Sequence, residues 1–209
     1  MIKDGNLIGD WEGLYNTFED PWGQSSIESQ LDTRRQIAIN AVTELNGRYD
    51  GLKVLDVGCG FGFMTDKLRE MGINSLGIDI SPTAISKARK LHPLTKFEVQ
   101  DYNNFQIYNQ FKPDVIILTE LTWYILETLD QYLLDLKKYS ASKSTPTFLI
   151  HLLATYKKGV QKYGLDKFTN YEEILKYFDL KYLESGFISK SKTYDCDSQG
   201  TYFIAELAN

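Results

Sequence analysis

Three closely spaced glycines are the most distinctive chemical feature of the sequence. Gly58, Gly60 and Gly62 follow the apolar run at residues 54–57 and precede a helical pattern. Glycine lets a backbone turn tightly and approach a ligand closely because it has no Cβ. The dinucleotide-binding pattern G-x-G-x-x-G, which holds a pyrophosphate at a helix N-terminus, has a different spacing. Asp56 precedes the loop, and its carboxylate suits a cationic ligand or hydrogen-bond donors better than a diphosphate.

Two further acids end the next two apolar runs. Asp79 closes the second run and is placed to accept both hydroxyls of a ribose. Asp101 closes the third run and is placed to accept an adenine amino group. Taken singly, such a loop is often only a turn and such an Asp only a cap. Together with Asp56, however, they would meet at one edge of a parallel sheet, so the combination predicts a nucleoside-type cofactor.

Apolar runs and helical patterns alternate along most of the chain. This alternation predicts a parallel sheet covered by helices on both faces, with the final pair of strands antiparallel at one edge. Ser81 is the expected N-cap of one helix, with Pro82 in its first turn. The predicted strands span residues 53–57, 73–79, 96–100, 114–119, 147–153, 180–189 and 201–207, and the predicted helices span 31–45, 63–71, 81–91, 124–139 and 171–178.

Composition narrows the class of protein. A length of 209 residues predicts one domain, and a net charge of −5 argues against binding to a nucleic-acid backbone. Cys59 and Cys196 are too few and too far apart for a metal cluster or a disulfide framework, which favours a reducing compartment. The N-terminus has no signal-peptide core, and no apolar run reaches the length of a membrane span. We therefore expect a soluble, cytoplasmic protein.

Four segments together resemble the class I S-adenosylmethionine-dependent methyltransferases. They are VLDVGCGFGFMT at 54–65, GIDIS at 77–81, FEVQD at 97–101 and PDVIILTE at 113–120. The resemblance covers most of the first two thirds of the chain, and the first segment is highly specific. It implies an α/β, Rossmann-like, doubly wound fold with a seven-stranded, mostly parallel sheet whose last strand is antiparallel.

The same resemblance implies where S-adenosylmethionine would bind. The methionine part would lie near Asp56 and the glycine loop, the ribose on Asp79, and Cys59 would pack beneath the cofactor. The adenine would lie between Ile80 and the pair Asp101 and Tyr102. The product would be S-adenosylhomocysteine.

A narrower resemblance involves the N-terminal segment. DPWG at 20–23, Arg34, and LTWYIL at 121–126 resemble nodulation-type N-methyltransferases acting on chitooligosaccharides, and relatives associated with surface polysaccharides and small metabolites. It implies an arm and helix at 1–48 over the cofactor and a core at 49–209 with a substrate loop near 154–170. Arg34 would meet the cofactor's carboxylate, unless it lies on a solvated helix face. Trp22 would contact the cofactor, unless it only anchors the arm.

Three residues near predicted strand ends could handle the acceptor. Glu120 could bind the acceptor, hold the cofactor's amino group, or merely cap the next helix. His151 could serve as a base, although a histidine in an apolar strand is more often packed. Tyr124 could align the acceptor, although tyrosines at helical spacing are more often core. His92, at a helix end, is expected at the surface, and no nucleophile–base pair indicates covalent catalysis.

The predicted function is methyl transfer from S-adenosylmethionine to an amine or hydroxyl of a small polar acceptor, such as a sugar, a sugar precursor or a polysaccharide-related metabolite. The lysine-rich loop at 156–164 could attract an anionic substrate or be an ordinary solvated loop. The alternatives are a non-catalytic S-adenosylmethionine-binding regulator and a nicotinamide-dependent oxidoreductase. A nucleic-acid methyltransferase is disfavoured by the charge and by the absence of an Asn/Asp-Pro-Pro-Tyr segment after the fourth strand. The sequence does not predict the oligomeric state.

Overall fold

In the computed structural model, the described residues are 2–3, 6–7, 9–26, 32–156, 163–188 and 198–207. The predicted helix start at residue 31, the lysine-rich stretch 157–162 and Cys196 lie outside them. The chain divides into two compact units. One unit comprises Asp10–Ile117, and the other comprises Met1–Gly9 with Leu118–Asn209.

The central element is a seven-stranded sheet with the order β5-β4-β3-β6-β7-β9-β8, and a separate hairpin joins β1 to β2. The strands are β1 (Ile2–Lys3), β2 (Asn6–Leu7), β3 (Lys53–Val57), β4 (Asn74–Asp79), β5 (Lys96–Val99), β6 (Val115–Thr119), β7 (Phe148–Tyr156), β8 (Lys181–Ile188) and β9 (Ser198–Glu206). The helices are α1 (Trp11–Thr17), α2 (Thr33–Arg48), α3 (Phe63–Glu70), α4 (Pro82–Leu91), α5 (Phe105–Phe111), α6 (Leu129–Ala141) and α7 (Tyr171–Phe178). The predicted fold class is confirmed: the sheet is mostly parallel, and the last strand, β9, is antiparallel to both of its neighbours.

In the Asp10–Ile117 unit, the parallel pairing of β3, β4 and β5 aligns their carboxyl ends. Val57 pairs with Ile78, and Asp79 pairs with Val99, so the loops after these strands leave the same edge. Helix α4 begins as predicted, because the Ser81 side chain accepts a hydrogen bond from the Ala84 N–H and proline opens the first turn.

In the unit that contains β7, this strand pairs with β9 along its whole length, from the Phe148–Glu206 pair to the Tyr156–Ser198 pair. Residues 148–153 of β7 are buried, as expected for a central strand. Helix α7 matches the predicted span of 171–178.

The prediction of one helix over 124–139 is wrong. Two 3-10 turns, Thr122–Tyr124 and Leu126–Thr128, precede α6. The physical reason is tertiary: the side chains of Thr122 and Trp123 bond to β7, and this fixes the turn against the local periodicity.

Helices α1 and α5 were not predicted, because both are short and lack a long apolar stripe. Side chains cap each one: Asp10 accepts from the Gly13 N–H, and Asn104 accepts from the Gln106 N–H. No helix among the described residues has the length and hydropathy to cross a bilayer.

Candidate functional site

The loop between β3 and α3 is held by the neighbouring strand. The N–H groups of Gly58 and Cys59 both donate to the carbonyl of Ile78, at 2.8 and 3.0 Å. Gly58, Gly60 and Gly62 have φ angles of 74°, 55° and 79°, a left-handed backbone that side chains disfavour. The three glycines are therefore required by the shape of the loop itself.

The space beside two of these glycines is occupied by protein. A Cβ on Gly62 would lie 2.3 Å from the ring of Phe97, and one on Gly60 would lie 2.4 Å from Gln24 Oε1. The Gln24 side chain also accepts a hydrogen bond of 2.7 Å from the Phe61 N–H. Sequence reasoning missed Gln24, because no local pattern indicates that the N-terminal arm reaches the loop.

Asp79 lies at the end of β4 and is only 8% exposed. Its Oδ2 accepts from the Gly60 N–H at 3.0 Å, and its Oδ1 accepts from the Ser81 N–H at 2.9 Å. Burial raises the pKa of this carboxyl above its usual range. A carboxylate has about four acceptor positions, and the backbone N–H groups of Ser81, Gly60 and Ile80 use three of them, so Asp79 can hold the loop and still accept from a ribose hydroxyl.

Asp56 is buried on β3, and its carboxylate accepts a hydrogen bond from within the protein. Thr65 Oγ1 donates to its Oδ2 at 2.6 Å. Burial raises the pKa of Asp56 to about 6, against the opposing effects of the Thr65 hydrogen bond and the Arg35 charge. Asp56 thus supplies negative charge beneath the loop.

The two neighbouring arginines of α2 differ in their contacts. Arg34 folds back onto the helix cap, with Nε 2.9 Å from Asp32 Oδ1 and Nη2 3.0 Å from Asp32 Oδ2. Arg35 has a buried Nη1 with no hydrogen-bond partner in the part of the chain that the structure describes. Burial lowers the pKa of Arg35, and the charges of Asp32 and Asp56 oppose that effect.

Among the described residues of this unit, Arg35, and not the predicted Arg34, has a buried guanidinium nitrogen without a hydrogen-bond partner. A sequence signal for it exists: Arg35 shares a helix face with the buried residues Ala38, Val42 and Leu45, at spacings of three, seven and ten.

The N-terminal arm lies on the glycine loop. The ring of Tyr15 is 5.6 Å from that of Phe61. Burial, and then the charges of Asp79 and Cys59, raise the pKa of Tyr15, while a hydrogen bond with the Trp22 side chain lowers it. Trp22 itself is 43% exposed.

The residues predicted around the adenine also lie near these strand ends. Ile80 is half exposed, and the Gln100 N–H donates to the Asp79 carbonyl at 3.0 Å. Asp101 Oδ1 accepts from the Asn103 N–H at 3.3 Å, and the Tyr102 carbonyl accepts from a tyrosine hydroxyl at 2.9 Å.

The side chains of Cys59 and His92 are packed within the Asp10–Ile117 unit. Cys59 is buried with Ile85, Ala88 and Phe97, and burial raises the pKa of its thiol. The prediction that His92 lies at the surface is wrong: its side chain is 11% exposed, and Nδ1 is 3.0 Å from Asp66 Oδ2.

Glu120 is the first of the three residues predicted to handle the acceptor, and all three lie in the unit that contains Leu118–Asn209. It has a φ of 57°, which is uncommon for a residue with a side chain. Its Oε2 accepts from the Ala154 N–H at 2.9 Å, and its own N–H donates to the Leu152 carbonyl at 2.8 Å. The following 3-10 turn has no side-chain cap, so Glu120 is not the helix cap that was one predicted alternative.

His151 has the environment of a core residue. It is 1% exposed, its ring stacks on Phe203 at 4.6 Å, and its Nε2 shares a 2.6 Å hydrogen bond with Thr122 Oγ1. Burial lowers its pKa to about 3. Tyr124 is half-buried in the 3-10 turn, and its N–H donates to the Leu121 carbonyl at 2.9 Å.

Part of the predicted substrate loop packs on the segment after β6. Phe168 is buried, with its ring 5.4 Å from that of Trp123. Gly164 approaches Leu126 so closely that a Cβ would lie 2.5 Å from it. Residues 163–168 are thus tied to the turns that follow Glu120.

Comparison with known proteins indicates the family of the chain. A methyltransferase-domain family model matches residues 49–157. The ubiquinone biosynthesis O-methyltransferase of Leptothrix cholodnii is 36% identical over 73 residues, which cover 35% of this chain and 31% of that protein. The matched stretches span about a third of the length of the first such relatives.

Solved structures share the fold. A S-adenosylmethionine-dependent methyltransferase from Clostridium acetobutylicum superposes with a TM-score of 0.65 at 19% identity, over 93% of this chain and 99% of that one. The N-methyltransferase NodS from Bradyrhizobium japonicum, in complex with S-adenosyl-l-homocysteine, gives a TM-score of 0.61 at 16% identity, over 93% and 97%. Because the family model covers more than half of its residues, the chain belongs to the methyltransferase-domain family, within the class I S-adenosylmethionine-dependent methyltransferases.

Proposed function

We propose that the chain transfers the methyl group of S-adenosylmethionine to an amine or hydroxyl of a small polar acceptor and releases S-adenosylhomocysteine. When bound, this cofactor supplies a methyl group that its sulfonium has already activated. The acceptor atom would bond to the methyl carbon as the bond to sulfur breaks, and the acceptor would release its proton to solvent. Much of the rate acceleration can then come from alignment and the exclusion of water.

The observation that carries this proposal is the position of Asp79. Its carboxylate ends β4 and holds the Gly60 N–H, and it keeps acceptor capacity for a ribose hydroxyl. Ile80, Asp101 and Tyr102 are the proposed surroundings of the adenine, as the resemblance implied.

Arg35 is our candidate for the cofactor's carboxylate. Its buried Nη1 needs an acceptor, and a carboxylate suits a guanidinium. The Arg34 side chain is instead engaged by Asp32, and this supports reassigning the predicted role to its neighbour. Trp22 and the three glycines remain proposed cofactor contacts.

Roles in handling the acceptor are also proposed. Glu120 is the candidate contact, because its carboxylate is held in one orientation by the Ala154 N–H. The contacts of His151 favour the packed alternative over the predicted base. A role for Tyr124 in aligning the acceptor stays a prediction.

Two classes of acceptor are supported. The sequence resemblance favours a sugar or polysaccharide-related metabolite, with transfer to nitrogen or oxygen. The curated relatives, named for O-methylation in ubiquinone biosynthesis, support a hydroxyl acceptor as the second candidate. The predictions of a cytoplasmic location and of no nucleic-acid partner rest on the sequence and stay predictions.

A transfer experiment tests the proposal. The chain is incubated with methyl-labelled S-adenosylmethionine and a cell metabolite extract, and labelled products are separated into amines and ethers. We expect label in one product class and stoichiometric S-adenosylhomocysteine. Tight binding of S-adenosylhomocysteine without transfer to any fraction would support a non-catalytic regulator, and tight NADH binding in a fluorescence titration would support an oxidoreductase.

A further inference from the structure

The segment directly after β6 is joined to β7 by side chains as well as by the backbone. Four hydrogen bonds connect residues 120–123 to residues 151–154. They are the Glu120 N–H to the Leu152 carbonyl at 2.8 Å, the Ala154 N–H to Glu120 Oε2 at 2.9 Å, the Trp123 indole N–H to the Ala154 carbonyl at 2.7 Å, and the bond between Thr122 Oγ1 and His151 Nε2 at 2.6 Å.

These bonds hold a conformation that the local sequence does not favour. Glu120 has a left-handed backbone, and such a residue persists where its surroundings over-determine it. Both backbone groups of Ala154 are engaged by side chains of the segment, one by Glu120 and the other by Trp123. The orientations of a carboxylate and an indole are therefore set by one residue of β7.

The bond between Thr122 and His151 is the buried part of this connection. Thr122 is 0% exposed and His151 is 1% exposed. The imidazole is itself held by Phe203, stacked at 4.6 Å, and by Phe178, with its centroid at 4.9 Å. A hydrogen bond between two buried groups has no water to replace it, so its loss would release the middle of the segment.

We infer that Thr122 and His151 are positioning residues: their hydrogen bond fixes the segment 120–123, and through it the orientation of the Glu120 carboxylate, the proposed contact of the methyl acceptor. This inference rests on the proposed function. It gives His151 a role in the reaction through the shape of the segment rather than through proton transfer.

The test compares two isosteric changes that each remove a buried hydroxyl bonded to β7. Thr122→Val removes the bond to His151. Thr201→Val, the matched control, removes the 2.9 Å bond from Thr201 Oγ1 to the Leu153 carbonyl, which joins β9 to β7. The full chain is labelled with 5-fluorotryptophan, and its three tryptophan resonances are assigned by Trp→Phe variants.

We expect Thr122→Val to move or broaden the fluorine resonance of Trp123 and to leave those of Trp11 and Trp22 in place. Thr201→Val should leave all three unchanged, and Thr122→Ser, which keeps the hydroxyl, should restore the Trp123 resonance. Label transfer from S-adenosylmethionine to the metabolite extract should fall roughly tenfold to hundredfold in Thr122→Val alone, with unchanged affinity for S-adenosylhomocysteine.

An unchanged Trp123 resonance in Thr122→Val, or equal shifts in the Thr201→Val control, would overturn the inference. If the unaltered chain transfers no label, the proposed function fails, while the fluorine spectra still decide whether Thr122 holds the segment. A normal transfer rate in Thr122→Val with a shifted resonance would also overturn the inference, because the segment would then not position the acceptor.

Discussion

Lowering the pH should reduce the free energy of unfolding of the chain, because the imidazole of His151 is buried. Its pKa falls from 6.5 to about 3 because burial penalises the charged imidazole. Between these values the unfolded chain binds a proton that the folded chain does not. The stabilising effect is thus complete above pH 6.5 and is lost as the pH falls towards 3. Between pH 7 and pH 4 we expect a loss of about 3 kcal/mol from this residue.

Urea unfolding at pH 7, 5 and 4 measures this loss, with His151→Asn as the variant that cannot titrate. The free energy of unfolding of the unaltered chain should fall by about 3 kcal/mol more than that of His151→Asn over this range. Thr122→Val is the control, because it removes the same hydrogen bond but keeps the imidazole, so its pH slope should match the unaltered chain. Equal slopes in the unaltered chain and His151→Asn would refute the reasoning.

Three further outcomes are expected. Arg35→Gln should weaken S-adenosylhomocysteine binding by about 10- to 100-fold in calorimetry, and Arg34→Gln by less than about threefold; equal losses would contradict the reassignment. Gly62→Ala should reduce the free energy of unfolding by about 2–4 kcal/mol in thermal unfolding, because the Phe97 ring lies 2.3 Å from the added Cβ. Gly72→Ala is the control, because Gly72 has a similar φ and open space around it, and it should lose about 1 kcal/mol; equal losses in the two variants would exclude the clash. Burial raises the pKa of Asp56 to about 6, so between pH 4 and pH 6 the folded chain keeps a proton that the unfolded chain loses, and the free energy of unfolding should decrease as the pH rises. Asp56→Asn should remove this decrease; an equal pH dependence of the two chains in urea unfolding would contradict it.

The fold was largely predictable because its strands are short apolar runs bounded by clear turns. Ser81 and Pro82 marked the start of α4, and the span of α7 agreed with its apolar spacing. The helix predicted over 124–139 failed because Thr122 and Trp123 form hydrogen bonds to a strand distant in sequence. Local periodicity contains no information about such partners.

The candidate site was predictable where strand ends determine it and less so where the N-terminal arm is involved. Asp79 follows from its place at the end of β4. The proposed choice of Arg35 over Arg34 depends on which face of α2 is buried, and the spacing of Ala38 and Val42 indicates that face. The contact of Gln24 with the loop depends on how the N-terminal arm folds back, and no local pattern encodes it.

Calorimetric titration with S-adenosylhomocysteine tests the central claim most directly. We predict that the chain binds one molecule, and that Asp79→Asn, which keeps the side-chain shape and removes its charge, weakens binding by at least about tenfold. Circular dichroism verifies that the variant is folded. No binding by the unaltered chain, or equal affinity in Asp79→Asn, would contradict the assignment of this strand end as the cofactor site.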